Sequence, residues 1–282
     1  MASPIRIAAT TAALGLTVAA LAGCSPASEA STVPDDCTPA HEISTVSEGV
    51  LTVQIVPSLP YIDVDENGEL TGIDGDIVTA IAALECLDIQ VNSVSAAVAI
   101  SGITGGQADM AAGGWYSTPE RGEEVGQTDA MYYDFIGVVS PGGEVSSVDQ
   151  LIGLQVGVIE GSLFVEELQA LIGADNVKQY QSTAAVIDDI GNGRIDAGLT
   201  GSGEGGYIVS QRADSDLALA ALEPDDRFSP SQSAGNVNIP HTKENTELTA
   251  ALNADIATLR EDGTVQSILE EWGLTSPENF DQ

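Results

Sequence analysis

With 282 residues, the chain is about twice the ~150-residue domain prior, so it holds one large domain or two smaller ones. Eight Lys and Arg face 43 Asp and Glu, for a formal net charge of −35. That balance excludes a nucleic-acid binder, which needs a basic footprint, and a protein that docks on anionic lipid through basic patches. Three Cys and only two His, His41 and His241, far apart in sequence, argue against a disulfide scaffold and a metal centre; no metal or cofactor is expected.

The elements follow in chain order. Met1 and Arg6 precede an unbroken small and apolar run, Ile7 to Ala20, which is shorter than the ~20 residues a membrane span requires. It reads as a secretory signal, residues 1–23, with a short membrane anchor as the alternative. Leu21-Ala22-Gly23-Cys24 resembles the bacterial lipobox, which implies a diacylated Cys24 at the mature N-terminus and durable anchoring by two acyl chains. Residues 24–45 read as a flexible tether rich in Ser, Pro, Glu and Ala. Outside the cell, Cys37 and Cys86 are expected to form a disulfide closing a loop of roughly 50 residues, worth about 4 kcal/mol; two separate thiols are the alternative.

Val50–Val56 is a β-branched buried strand, and Asp65-Glu66-Asn67-Gly68 is a turn. A helix begins near Asp74–Asp76, its first-turn acids facing the positive end of the helix dipole. A strand at Ile89–Val94, a short helix at Val98–Thr104 and a buried strand at Ala108–Ala112 follow. Tyr133–Ser140 reads as one strand, ended by Pro141-Gly142-Gly143. A second run consists of strand Gln155–Ile159, helix Ser162–Ile172, helix Ala184–Gly191, strand Ile195–Leu199, helix Tyr207–Arg212 and strand Leu217–Leu222. Strand Ala234–Ile239 precedes a final helix carrying Leu248, Leu252, Ile256 and Leu259 on one stripe.

This alternation predicts α/β architecture with parallel sheets. Gly106-Gln107-Ala108-Asp109 and Gly193-Arg194-Ile195-Asp196 occupy matching places between helix and strand, which suggests two similar lobes. The expected division is 46–138 with 235–276 for the first lobe and 139–234 for the second. Asp109 and Asp196 are expected to pin their lobes rather than line a site.

No catalytic constellation emerges. There is no nucleophile elbow and no P-loop, and Gly201–Gly206 lacks the dinucleotide spacing. Positive charge is the scarce commodity. Arg121 ends Gly113-Gly114-Trp115-Tyr116-Ser117-Thr118-Pro119-Glu120-Arg121, directly after a buried strand, where ligands of open α/β sheets bind. It either grips a carboxylate bidentately or pairs with Glu120, Glu123 or Glu124.

Six stretches recur in order: Leu70–Ile77, Gly106–Asp109, Ser117–Arg121, Val156–Ser162, Gly193–Ala197 and Glu261–Gly273. Over roughly Val50–Leu274 they resemble the family 3 extracellular solute-binding proteins, the polar amino-acid receptors of ABC importers. The resemblance implies a two-lobed, type II periplasmic-binding-protein fold with two crossover strands, the second near Phe228–Asn236. It further implies no enzyme, and a monomer that delivers a small solute to a permease and its ATPase. Arg121 inherits the clamp on the ligand carboxylate, Gly161 and Ser162 offer amides, and Tyr61 packs on the ligand. The chain departs from the pattern at Gly113, Gly114 and Tyr116, which leaves backbone amides, that of Gly114 among them, and the Tyr116 phenol to face the ligand, and most of all at Gly201, where the family has the Asp that meets the ligand ammonium. An amino-acid ligand would then need Glu204 or Glu160 instead; the alternative is a ligand that is not a standard α-amino acid. Tyr61, Trp115 and Tyr116 could form an aromatic cage for a cationic group or simply pack the lobe. A same-fold dehydratase using Glu160 or Glu204 as its acid and a sensor or scaffold subunit are the rival readings.

Overall fold

The computed structural model describes residues 31–160, 162, 164–212 and 214–280. The segment from Val33 onward forms one compact unit. Cys24, Gly161 and the expected signal at 1–23 lie outside the described residues.

The β-branched run Val50–Ile55 is buried on both faces, as a central strand between two helical layers must be. Parallel neighbours Asp88–Ser93 and Met110–Ala112 flank it, and Pro240–His241 and Gly126–Gln127 add antiparallel strands. Helices Ile73–Leu84, Thr246–Glu261 and Thr264–Glu271 cover this sheet, with Ile77, Val78, Ile81, Leu252 and Ile256 in the same core as Val53 and Ile55. The second sheet runs in the order Val177–Tyr180, Val156–Ile159, Ala197–Gly201, Ile136–Pro141, Leu217–Ala221. Its first three strands are parallel, and the last two are antiparallel to them or to each other. Both sheets are therefore mixed rather than purely parallel, because the strand that enters each from the other lobe, Pro240–His241 in the first and Ile136–Pro141 in the second, runs antiparallel to its neighbour.

In each lobe the first strand lies between the second and the third, and the four-residue echo marks the same joint twice. Gly106 and Gly193 both adopt φ of 66°, a left-handed position that glycine takes without strain. Asp109 accepts from the amides of Val46 at 2.7 Å and Thr52 at 2.8 Å, and Asp196 from the amide of Gln155 at 2.7 Å. Each carboxylate thus ties the third strand of its lobe to the start of the first.

Two expectations need correcting. The stretch Tyr133–Ser140 is not one strand. Tyr132–Asp134 pairs antiparallel with Gly235–Val237 in a separate two-stranded ladder, and Ile136–Pro141 enters the second sheet. Residues 136–138 therefore belong with the second lobe, and the crossover lies at Tyr132–Phe135. The tether also ends earlier than residue 45. Cys37 is bonded to Cys86 with Cα atoms 5.9 Å apart, the Ala40 amide donates to Leu84 O, and the His41 amide donates to Glu85 Oε2 at 3.0 Å. Residues 37–46 are strapped to the first lobe.

Candidate functional site

The loop after the third strand of the first lobe leaves the sheet at Gly113 and Gly114, with φ of 130° and 68°. Glycine is needed here for space as well as for φ. A Cβ on Gly114 would stand 3.0 Å from Tyr61 Cγ. Both amides are already engaged, donating to Asp74 Oδ2 at 2.9 and 2.8 Å. The expected ligand-facing amide of Gly114 is thus spent on Asp74, a buried side chain whose other oxygen accepts from Tyr132 Oη at 2.7 Å. Burial raises the pKa of Asp74, opposed by the bonds from Gly114, Tyr132 and Gly113.

Beyond Gly114 the loop joins the hinge. The Ser117 amide donates to Asn236 O, the Asn238 amide donates to Trp115 O, and Tyr116 bridges Val237. Trp115 is only 8% exposed and packs with Ala99, Ile103, Ala111 and Val125. It is not in a cage with Tyr61 and Tyr116. Its ring is instead the floor under Arg121, whose guanidinium carbon lies 4.8 Å from the ring centroid, a cation–π distance.

Arg121 sits in the short helix Pro119–Glu124, capped by Thr118 Oγ1, which accepts from its amide at 3.1 Å. The guanidinium donates through Nη1 to Tyr116 O. Among the described residues no carboxylate forms an ion pair with it; Arg194, Arg212 and Arg227 all have one. Pairing with Glu120, Glu123 or Glu124 is therefore not what holds it. Partial burial draws its pKa down from the usual arginine value.

The centre of the hinge is occupied by a residue that the sequence reading did not single out. Asp134 is 4% exposed and accepts four bonds. Oδ2 receives Tyr61 Oη and Tyr116 Oη, each at 2.7 Å, from the first lobe. Oδ1 receives Ser202 Oγ at 2.5 Å and the Gly203 amide at 3.0 Å, from the second. Burial, with the negative charge of Asp134 next in weight, raises the pKa of both Tyr61 and Tyr116, so both phenols remain donors. Gly201 lies against this group: a Cβ there would be 3.1 Å from Asp134 Oδ2. A carboxylate thus stands beside the position where the chain carries Gly201, but it is delivered from the hinge strand.

The Gly-rich stretch after Gly201 is not a loop but the start of helix Ser202–Ser210. Gly203 and Gly205 are required by packing, since a Cβ would lie 2.7 Å from Tyr61 Oη and 2.2 Å from Thr200 Oγ1 respectively. Glu204, on the same helix, accepts from Thr183 Oγ1 at 2.5 Å, and its charge contributes to raising the Tyr116 pKa. Glu160 accepts from Gln181 Nε2. Ser162 turns both its amide and its hydroxyl toward Ile159 O, at 3.2 and 2.8 Å. Tyr61 and Tyr116 thus converge on Asp134, and Glu204 stands near enough for its charge to act on Tyr116. Arg121 joins them through the Tyr116 carbonyl, whereas Glu160 and Ser162 stay at the end of strand Val156–Ile159.

Residues 51–275 match the model of the bacterial extracellular solute-binding proteins, family 3. The chain belongs to this family. It is a solute-binding receptor, not an enzyme, and the dehydratase alternative falls. Curated relatives include the putative ABC transporter arginine-binding protein 2 of Escherichia coli (strain K12), 27% identical over 221 residues, covering 76% of this chain and 86% of the relative. The lysine/arginine/ornithine-binding periplasmic protein of the same organism is 27% identical over 225 residues, covering 76% and 83%. Among solved structures, the L-cystine solute receptor of Neisseria gonorrhoeae superposes with a TM-score of 0.70 at 20% identity, covering 84% of this chain and 98% of that one. An ancestral cationic amino acid solute-binding protein gives a TM-score of 0.70 at 19% identity, covering 81% and 97%. These likenesses agree on the two-lobed type II periplasmic-binding-protein fold. No helix among the described residues is long and apolar enough to cross a membrane.

Proposed function

We propose that this receptor captures a small amino acid, held by its carboxylate, outside the cell. It hands that solute to an ABC permease and its ATPase, while Cys24 anchors it as a monomeric lipoprotein. The observation that carries the reading is Arg121. In a chain with 43 acids it is half-buried, stacked on Trp115 and tied to a carbonyl, yet has no carboxylate partner among the described residues. A stacked guanidinium with one donor fixed is pre-oriented, and its remaining N–H groups suit a planar carboxylate better than an ammonium would. The curated relatives are named for arginine, lysine, ornithine and cystine, so the first solutes to try are these.

In this reading Tyr61 and Tyr116 form the aromatic wall, Glu204 and Glu160 offer anionic groups to the ligand's ammonium or cationic end, and Gly161 and Ser162 bring the second lobe to the carboxylate. Closure then follows population shift, because only a ligand touching both lobes stabilises the closed form. The test is isothermal titration of L-arginine, L-lysine, L-ornithine and L-cystine into wild type and Arg121→Met. Loss of a bidentate, charge-assisted pair should weaken the best ligand by roughly 30- to 1000-fold, or about 2–4 kcal/mol. The thermal midpoint should fall by no more than several degrees, since the folded protein loses only one carbonyl bond and one ring contact at a half-exposed site. Affinity within about threefold of wild type would remove Arg121 from the site.

A further inference from the structure

Away from the hinge, three residues from distant parts of the chain meet where the strapped N-terminal segment crosses the first lobe. His41 comes from that segment, Glu85 caps the C-terminus of helix Ile73–Leu84, and Asp255 lies in helix Thr246–Glu261. The ring Nδ1 of His41 is 2.5 Å from Glu85 Oε1 and 3.5 Å from Asp255 Oδ1. One donor atom from each residue lies within 4.8 Å of the other two. Glu85 and Asp255 are almost wholly buried, whereas the His41 side chain is 37% exposed. A surface pocket of about 440 Å³ is lined by two of the three, His41 and Glu85, together with Pro39, Ser44 and Glu247. Asp255 is also incompletely satisfied: its Oδ2 is buried without a hydrogen-bond partner among the described residues.

We propose that His41, Glu85 and Asp255 form a binding site for a divalent first-row transition cation, with Zn²⁺ the best match. Two buried carboxyl groups against one imidazole leave an excess of negative charge that a dication balances, and burying such charge uncompensated is costly. One imidazole nitrogen with two carboxylate oxygens is a donor set that suits Zn²⁺; Ca²⁺ and Mg²⁺ prefer oxygen alone. Bonds of about 2.0–2.1 Å place tetrahedral ligand atoms about 3.3–3.4 Å apart. The 3.5 Å pair is already at that spacing, and the 2.5 Å pair has only to open, which the exposed ring allows. The pocket beside His41 and Glu85 leaves room for a water as the fourth ligand, and the unpartnered Oδ2 of Asp255 supplies a spare oxygen. A bound ion would fasten the segment that follows Cys37 to both helices, beside the disulfide, at the opposite end of helix Ile73–Leu84 from Asp74. Cysteine count and histidine spacing gave no hint of it, because the ligands are 44 and 170 positions apart in sequence.

The full chain is titrated with ZnCl₂ in excess MgCl₂, so that surface carboxylates of this highly acidic protein are already occupied by a hard cation. One equivalent of Zn²⁺ should raise the thermal midpoint of wild type, and His41→Ala should bind about 10-fold or more weakly, given that even outer-shell partners of a metal are worth about 10–100-fold in affinity. Because the chain has two histidines, the imidazole C–H proton resonances give a readout in wild type alone. Zn²⁺ should shift the His41 signal and leave that of buried His241 in place. Equal Zn²⁺ binding by wild type and His41→Ala, or an unmoved His41 resonance at saturation, overturns the assignment and means adventitious binding to surface carboxylates or a free thiol.

Discussion

Asp134 offers the sharpest test of how the two lobes are held together. Four donors from both sides of the hinge converge on its two oxygens: Tyr61, Tyr116, Ser202 and the Gly203 amide. Replacing Asp134 with Asn keeps the shape but removes the charge. The Gly203 N–H cannot reorient, so the single amide oxygen must stay on the Ser202 and Gly203 side. The NH₂ then faces two phenols, which must turn from donors into acceptors. Bonds to an ionised group contribute about 1.5–3 kcal/mol and neutral ones about 0.5–1.5, so four demotions cost on the order of 4 kcal/mol. Relief from burying a charge offsets part of this, leaving about 2–4 kcal/mol. For a chain of this size each kcal/mol moves the thermal midpoint by about 2–4 °C, so calorimetry should find a drop of roughly 5–15 °C. Tyr61→Phe and Tyr116→Phe, each combined with Asp134→Asn, should be clearly non-additive, as expected of residues sharing one acceptor. A variant melting within about 2 °C of wild type, with additive double mutants, would refute the idea that this carboxylate latches the hinge.

Three further outcomes follow from local geometry. Replacing Cys37 and Cys86 with Ser removes a cross-link between residues 49 apart, and urea unfolding should lose about 4 kcal/mol. Gly203→Ala places a methyl 2.7 Å from Tyr61 Oη; it should push the phenol off Asp134, lowering the melt and the protection given by ligand, and an unchanged melt would count against the close packing. His241 is buried, bonded to Ile239 O at 3.0 Å and facing Thr249 Oγ1 at 2.7 Å, and burial lowers its pKa below the ordinary 6.5. Below pH 6.5 the unfolded chain therefore takes up a proton that the folded chain refuses, so its contribution is complete above that pH and is lost as pH falls toward the folded value. The denaturant midpoint of wild type should fall more steeply between pH 7.5 and 5.5 than that of His241→Gln, and parallel slopes would contradict the assignment.

Much of the fold was legible because burial on both faces leaves a local signature: short runs rich in β-branched residues such as Val50–Ile55 and Val156–Ile159, spaced by helices with a single apolar stripe. What was not legible depended on the partner chosen. Nothing local tells the run from Tyr132 to Ser140 where to leave one ladder for the next sheet. Likewise, the glycines after Gly201 look like a loop until Tyr61, Thr200 and Leu219 are seen packing against the bare backbone of a helix. The N-terminal segment looked like tether by composition; its bond at Cys37 was expected from the sequence, but only the contacts at Ala40 and His41 reveal a strap.

The same distinction separates the two charged residues of the candidate site. Arg121 stood out in the sequence because a cation is rare in this chain, whereas Asp134 was one acid among 43. A clue was nevertheless present: Asp134 interrupts the apolar run Tyr132-Tyr133-Asp134-Phe135-Ile136, and a carboxylate inside a strand-like apolar stretch must be buried with its own donors or destabilise the fold. Two tyrosines, a serine and a backbone amide are what a buried anion requires in the absence of a cation, and they come from both lobes because neither lobe alone provides enough donors. Arg121 presents the converse case, a half-buried cation with one carbonyl, one aromatic face and no carboxylate paired with it among the described residues. One charge is satisfied within the protein and the other is left to be satisfied from outside it, which is the asymmetry a receptor for an anionic group needs.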